Sequence, residues 1–312
     1  MRRVQDFLKQ VNRALVRGAL AWLFFLARIV PIGMVYALVR FVVVGVLYKT
    51  GGRLKRHAKN GIQTAFGSRM SRDRREWLIR QTFEQLAHVI AEGVHYIVRE
   101  RDFDRRIRMS GEEHLKSVLS RGRGVIAVTA HLGNFPLMMG WLARQGYKVN
   151  VLMRPMRDPG MNEFVVAKFR PFGGKMILTV PERECVQKSL RALRRNEILF
   201  ILIDQNYGAQ ARVFVDFFRH KAATGASPAA FARRTGAGVV PVFFTREDNG
   251  GIHIIAEPEV VMKGGPADQA PYQEDMQRLT SVVEEYIRRY PELWSWMHNR
   301  WKSRETREEN RE

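Results

Sequence analysis

GVIAVTAHLGNFPLMM, residues 124–139, changes its period halfway along. The first seven residues, GVIAVTA, are a continuous apolar run of strand length, and from Phe135 onward Leu137, Met138 and Met139 begin a helix. Asn134 is placed to cap that helix. Pro136 lies in its first turn, where a missing N–H removes no intrahelical bond. A strand that passes into a helix through so short a loop is the opening of a βαβ unit, and His131 and Gly133 occupy the loop.

The same alternation recurs on either side. KVNVLM (148–153), KMILTV (175–180) and EILFILID (197–204) read as further strands separated by helical stretches. RVFVDFF (212–218), VVPVFFT (239–245) and GIHIIAEPEVV (251–261) follow closely enough to pair antiparallel. The prediction is an α/β fold, a mixed and largely parallel central sheet flanked by helices. Upstream, Trp77, Leu78, Phe83, Leu86, Ile90, Val94 and Ile97 recur at helical spacing and predict one amphipathic helix from Ser71 to Arg99. A charged connector, RERDFDRR, leads to a short helix around Glu112 to Leu119. Downstream, Pro271 opens a last helix through Tyr290, and RWKSRETREENRE reads as a frayed polar tail.

The chain of 312 residues carries 52 Lys and Arg against 31 acidic residues, a formal charge of +21 that calls for an anionic partner. Its single cysteine, Cys185, rules out an intrachain disulfide or a cysteine-based metal site, and its eight histidines show no metal-ligand spacing. There is no GxGxxG or Walker loop. No cofactor or metal is expected.

Gly18 to Tyr48, GALAWLFFLARIVPIGMVYALVRFVVVGVLY, is strongly apolar but cut by Arg28, Pro31 and Arg40, so no charge-free window reaches the roughly 20 residues of a plain spanning helix. Basic flanks, Arg2, Arg3, Lys9, Arg13 and Arg17 before it and Lys49, Arg53, Lys55, Arg56 and Lys59 after it, suit an anionic membrane surface. The segment reads as a membrane-embedded hairpin or tilted anchor, with a buried helical pair as the alternative. The division follows: 1–60 an apolar, basic membrane-associating segment, 61–302 the α/β domain, 303–312 a tail.

His131 at a strand end faces helix N-terminal amides. An imidazole there can take a proton from a hydroxyl while backbone N–H groups stabilise an oxyanion, and Gly133 would admit a substrate close to the backbone. The competing reading is a satisfied structural histidine.

EEHLKSVLSRGRGVIAVTAHLGNFP, MRPMRDP with FGGKMI behind it, LFILIDQNYG, VFVDFFRHKAATGASPAAFARRTGAGVVPVFF and YPELWSWMHNRWKSR occur in that order between about Arg56 and Lys302. Together they resemble the bacterial lipid A biosynthesis acyltransferases of the glycerolipid acyltransferase superfamily. The resemblance implies an enzyme on the cytoplasmic face of the bacterial inner membrane. It would move a fatty acyl chain from acidic acyl carrier protein to a hydroxyl of an anionic glycolipid, without nucleic acid. It implies His131 as general base, with the Gly133 and Asn134 amides near the oxyanion. It also implies phosphate or carrier contacts by Arg154, with Arg157, Arg170 and Arg300 as further candidates.

The family's signature places Glu or Asp five positions after the histidine, where this chain has Pro136. Three readings compete. Asp204, ending LFILID, or Asp158, in the RPMRDP loop, replaces the acid. The histidine works unassisted. Or the chain is a silent lipid-binding or scaffold relative. A different lipid or an amine acceptor is also compatible with the variant motif. Asp204 is equally readable as a turn cap, Thr224 and Ser227 read as structural, and Trp294, Trp296 and Trp301 read as packing or interfacial anchors.

Overall fold

The computed structural model describes residues 2–99, 106–156, 158–169, 174–208, 212–247, 250–263 and 272–304. Its strands are β1 (Ile107–Ser110), β2 (Val125–Thr129), β3 (Val149–Met153), β4 (Lys175–Leu178), β5 (Ile198–Leu202), β6 (Arg212–Phe217), β7 (His220–Gly225), β8 (Gly238–Arg246) and β9 (Ile252–Ala256). Seven of them form one sheet in the order β1-β9-β8-β2-β5-β3-β4. Every neighbouring pair in it is parallel except β8 with β9. The predicted mixed, largely parallel sheet is present. Its middle strand β2 is buried along its whole length, which is why VIAVT is apolar on both faces.

The helices are α1 (Arg2–Leu26), α2 (Ile32–Arg40), α3 (Tyr48–Thr50), α4 (Gly52–Phe66), α5 (Arg72–Val98), α6 (Glu112–Leu119), α7 (Phe135–Arg144), α8 (Pro159–Phe169), α9 (Glu182–Arg194), α10 (Ser227–Thr235) and α11 (Gln273–Arg289), with a π-helical stretch Phe41–Leu47 between α2 and α3. Alternate β2 residues face opposite ways. Val125 and Ala127 join Leu115 of α6 and Leu137, Met138 and Leu142 of α7 in one core. Ile126 and Val128 join Leu193 of α9, Ala229 of α10 and Val283 of α11 in the other. That second core continues without a break into Phe83 of α5, Val35 and Val39 of α2 and Leu23 of α1.

Helix α5 is the long amphipathic helix, started by the Ser71 hydroxyl, which accepts from the Arg74 N–H. Along its length lies the N-terminal segment. Ile32–Thr50 is long and apolar enough to cross a membrane and fits an anchor. Val35, Val39 and Val43 of this stretch are buried, and Arg40 pairs with Glu84 of α5 at 2.7 Å. The opposite face is apolar and exposed. Trp22, Phe25 and Ile29 continue onto it from the end of α1, beside Met34, Phe41, Val42 and Val46.

Three strand expectations change. RVFVDFF leaves the central sheet and pairs with β7 as a separate antiparallel hairpin. The Gln277 side chain of α11 satisfies its backbone by accepting from the Asp216 N–H at 2.7 Å and donating to the Asp216 carbonyl at 2.9 Å. Strand β1, with one buried residue in four, adds an edge that the sequence pattern missed. Of GIHIIAEPEVV only Ile252–Ala256 is strand. Pro271 lies outside the described residues. The start of RWKSRETREENRE is packed instead of frayed, since Arg300 is fully buried, while 305–312 lie outside the described residues.

Candidate active site

Strands β2 and β5 pair in parallel with a constant offset, Val125 opposite Ile198 through Thr129 opposite Leu202. Extending that register past the strand ends, continued by the Ile203 N–H to Thr129 carbonyl bond of 3.2 Å, brings residue 131 level with residue 204. The side chains meet there: His131 Nδ1 lies 2.9 Å from Asp204 Oδ1. The backbone N–H of His131 donates to Asp204 Oδ2 at 3.0 Å, and the indole Nε1–H of Trp294 donates to the same oxygen at 2.8 Å. One carboxylate oxygen is thus held by two fixed donors while the other faces the imidazole.

Asp204 is fully buried. Burial alone would push its carboxyl up, but the His131 imidazole, with its charge and its hydrogen bonds, and the Trp294 indole outweigh it and hold it at about 2. A carboxylate with no proton to give accepts the Nδ1–H of His131, so whenever the ring carries a single proton its lone pair sits on Nε2. The His131 side chain is 28% exposed, open enough to meet a substrate, and its ring packs edge-on against Phe135 at 5.0 Å.

The segment that follows α11 closes the site from behind. Gly133 N–H donates to the Leu293 carbonyl at 2.9 Å and Ser295 N–H to the His131 carbonyl at 3.1 Å, a short antiparallel bridge centred on Leu132 and Trp294. His298 Nε2 accepts the Asn206 N–H at 3.0 Å, and burial lowers its ring to about 4, so it stands neutral with its proton on Nδ1.

The other site expectations separate. The Gly133 amide is taken by Leu293, so it does not serve as an oxyanion donor. Its φ of +58° and its close approach to Phe244 explain the glycine, since an added Cβ would stand 1.9 Å from that ring. The Gly133 space is therefore filled by protein and not by substrate. Asn134 stands at the N-cap of α7 without capping it; its buried amide donates to the Val89 carbonyl and to Glu92, which also pairs with Arg246 at 2.8 Å. The first-turn N–H groups of Asn134 and Phe135 remain without intrahelical acceptors, and Pro136 contributes none.

Asp158 faces Arg17 of α1, with contacts of 3.0 and 2.8 Å, and not the histidine. Arg154 is exposed beyond β3, at the same end of the sheet as His131. Arg157 and the Arg170 guanidinium lie outside the described residues. Arg300 is not a surface contact for carrier or phosphate: it donates to the Gln205 and Ala223 carbonyls and the Thr224 hydroxyl, and burial lowers it to about 10. Trp294 and Trp296 are core residues, with ring centres 4.4 Å apart. The contact between Trp294 and Asp204 was not foreseen; a tryptophan's place against a carboxylate some ninety residues away leaves no local signal.

The family model for bacterial lipid A biosynthesis acyltransferase matches residues 8–303. The chain belongs to that family. It is 27% identical to the lipid A biosynthesis lauroyltransferase of Escherichia coli (strain K12) over 257 residues, 80% of this chain and 81% of the relative. It is 25% identical to the lipid A biosynthesis palmitoleoyltransferase of the same organism, over 75% of this chain and 74% of the relative. A phosphatidylinositol mannoside acyltransferase of Mycolicibacterium smegmatis is 25% identical over 61% of this chain and 60% of its own length. The acyltransferase family resemblance read from the five segments holds.

Proposed function

We propose that this acyltransferase moves a fatty acyl group from the thioester of acyl carrier protein to a hydroxyl of a lipid A-type glycolipid, at the cytoplasmic surface of the bacterial inner membrane. The observation that carries the chemistry is the His131–Asp204 pair at the carboxyl ends of two adjacent parallel strands. His131 Nε2 takes the proton of the acceptor hydroxyl as its oxygen attacks the thioester carbonyl carbon. The first-turn amides of α7 supply backbone donors for the resulting oxyanion. As the carbon–sulfur bond breaks, the imidazolium returns the proton to the departing thiolate, so no acyl-enzyme, metal or cofactor is required. Asp204 keeps the ring oriented and stabilises its charge, the role that the family's signature gives to the residue replaced by Pro136.

The charge of +21 suits acidic carrier protein, a phosphorylated acceptor and an anionic leaflet alike. The exposed apolar face of α1 and of the segment after it suits immersion in that leaflet. The mycobacterial relatives favour a second acceptor class, a phosphorylated glycolipid other than lipid A. The deciding experiment is transfer from labelled acyl carrier protein to a panel of lipid A precursors, other phosphorylated glycolipids and amine lipids, with wild type and His131→Ala. Turnover by wild type alone supports the reading. Absence of turnover across the panel leaves the silent lipid-binding relative, and equal turnover by both proteins removes His131 as base.

A further inference from the structure

Between the segment Tyr36–Lys49 and α5 lies an open groove of about 560 Å³. Its walls are apolar and aromatic, with Phe41, Val44 and Gly45 among them, and Arg40, Lys49 and Arg80 stand around it with no carboxylate in the lining. Glu84, behind the groove, is engaged by Arg40 through two bonds of 2.8 and 2.7 Å, while Arg80 lies at 3.7 Å from it. Three cations therefore face one carboxylate. The surplus of two positive charges sits over a hydrocarbon floor, a combination that neither a neutral nor a wholly polar ligand satisfies. On the same stretch Phe41, Val42 and Val46 present exposed hydrocarbon beside the groove. The backbone of the wall is π-helical from Phe41 to Leu47, a local widening that is frequent at functional sites. The volume falls within the range of small-ligand sites.

We propose that this groove binds a bilayer phospholipid of net negative charge, with its phosphate at Lys49 and Arg80 and its chains against the Phe41–Val46 face. The site is separate from the reacting centre. Glu84, beneath the groove, and Glu92, which holds Asn134 beside the histidine, are eight residues apart on α5, about 12 Å along its axis. The bound lipid is a resident of the membrane surface that seats the N-terminal segment on α5, and it is not the reactant. The proposal does not depend on the acyl-transfer reading, since it is tested by equilibrium binding.

The experiment is calorimetric titration of the full-length protein with monomeric dihexanoyl phosphatidylglycerol, below its self-association concentration. Parallel arms use dihexanoyl phosphatidylcholine and inorganic phosphate. Saturable binding of the anionic lipid is expected, at least about tenfold tighter than either control, because phosphatidylcholine brings no net charge to the cations and inorganic phosphate brings no chains to the apolar floor. Gly45→Leu fills the groove without changing charge: a Cβ at Gly45 meets only the Phe41 ring, at 3.5 Å, an ordinary contact. It should weaken the lipid about tenfold or more, with an unchanged unfolding midpoint. Lys49→Gln with Arg80→Gln should do the same, and this pair carries the test if the leucine variant does not fold. Arg191→Glu with Arg194→Glu, on the exposed face of α9, should leave binding as in wild type. Equal affinity for phosphatidylcholine or for free phosphate overturns the proposal. So does wild-type affinity in Gly45→Leu, or an α9 variant that loses as much as the groove pair.

Discussion

At the carboxyl ends of β2 and β5 the chain buries polarity, and along α1, α2 and the π-helical stretch it exposes hydrocarbon. Asp204, Asn134 and Arg300 are all at 2% exposure or below, whereas Trp22, Phe25, Ile29 and Phe41 stand at 56% or more. Both regions invert the usual distribution, but with different physics. Asp204 is matched to His131 and Trp294, Asn134 to Val89 and Glu92, and Arg300 to the carbonyls of residues 205 and 223, so their burial is tolerated only in one geometry. The exposed apolar groups are left uncovered by the described residues, and a complement from the surroundings would bury them. Under the proposed function the first region does the chemistry and the second chooses the location.

The largest effects break the first region. His131→Ala should lower acyl transfer at least about a thousandfold, the scale of a general base removed from a preorganised site. Asp204→Asn should approach that loss, because an amide leaves the ring free to adopt the wrong tautomer. The same variant tests stability. Asp204's folded-state carboxyl is depressed to about 2, so its contribution is complete above the ordinary carboxylate range near pH 4 and is lost as pH falls toward 2. Chemical denaturation from pH 7 to pH 2 should show the wild type losing stability over that window, and Asp204→Asn should show a flatter profile. A loss of the same steepness in both proteins would mean that Asp204 is not the depressed group.

Mutations in the second region should leave chemistry intact and change partitioning. Trp22→Ser with Phe25→Ser removes two large exposed rings, each worth about 1.5–3 kcal/mol when fully buried and less when half immersed. Flotation with vesicles containing phosphatidylglycerol should show binding weakened by about tenfold or more, with an unchanged unfolding midpoint. Undiminished binding would mean that this face is covered by something other than lipid.

How much of this contrast a reader of the sequence can see differs by region, for physical reasons. Hydrophobic runs report which groups avoid water, whether by burial in the fold or by another apolar surrounding, so the parallel strands, α5 and the apolar N-terminal segment are legible from pattern alone. The His131–Asp204 contact is only half legible. Both residues end apolar runs, but choosing Asp204 over Asp158 requires knowing that β5 and not β3 lies beside β2, and strand order has no local code. The β6–β7 hairpin is hidden because its turn is Phe218-Arg219, both at positive φ without the usual asparagine or glycine. Tertiary contacts hold that turn: Phe218 is buried and its N–H donates to Glu284 at 2.6 Å. Arg300 misleads for the opposite reason. An arginine is ordinarily exposed, and only the carbonyls of residues 205 and 223 explain one that is not.

Trp294→Phe is a finer cut into the buried network. It keeps the ring that packs on Trp296 and deletes the N–H that holds Asp204 Oδ2. A hydrogen bond to a charged group contributes about 1.5–3 kcal/mol, but Asp204 keeps its two bonds from His131, so a loss of about tenfold in kcat with little change in KM is expected. The Asp204 carboxyl should also titrate higher, moving the acid limb of stability toward neutral pH. Lost packing alone would shift the melting temperature without moving that limb.

Asp158→Asn should do least, and it tests the boundary between the two regions. Its carboxylate joins Arg17 of α1 to the loop after β3, so it is a tie between the N-terminal helix and the sheet and not part of the His131–Asp204 pair. The Arg17 side chain is 37% exposed, so solvent screens the pair and its loss should cost at most about 1 kcal/mol. Acyl transfer from carrier protein to a detergent-dispersed acceptor should stay within about twofold of wild type. The visible change should be a small one in the protease sensitivity of α1. A drop comparable to that of Asp204→Asn would show that the loop after β3 reaches the histidine in the working state, and the division between buried chemistry and exposed anchorage would have to be redrawn around it.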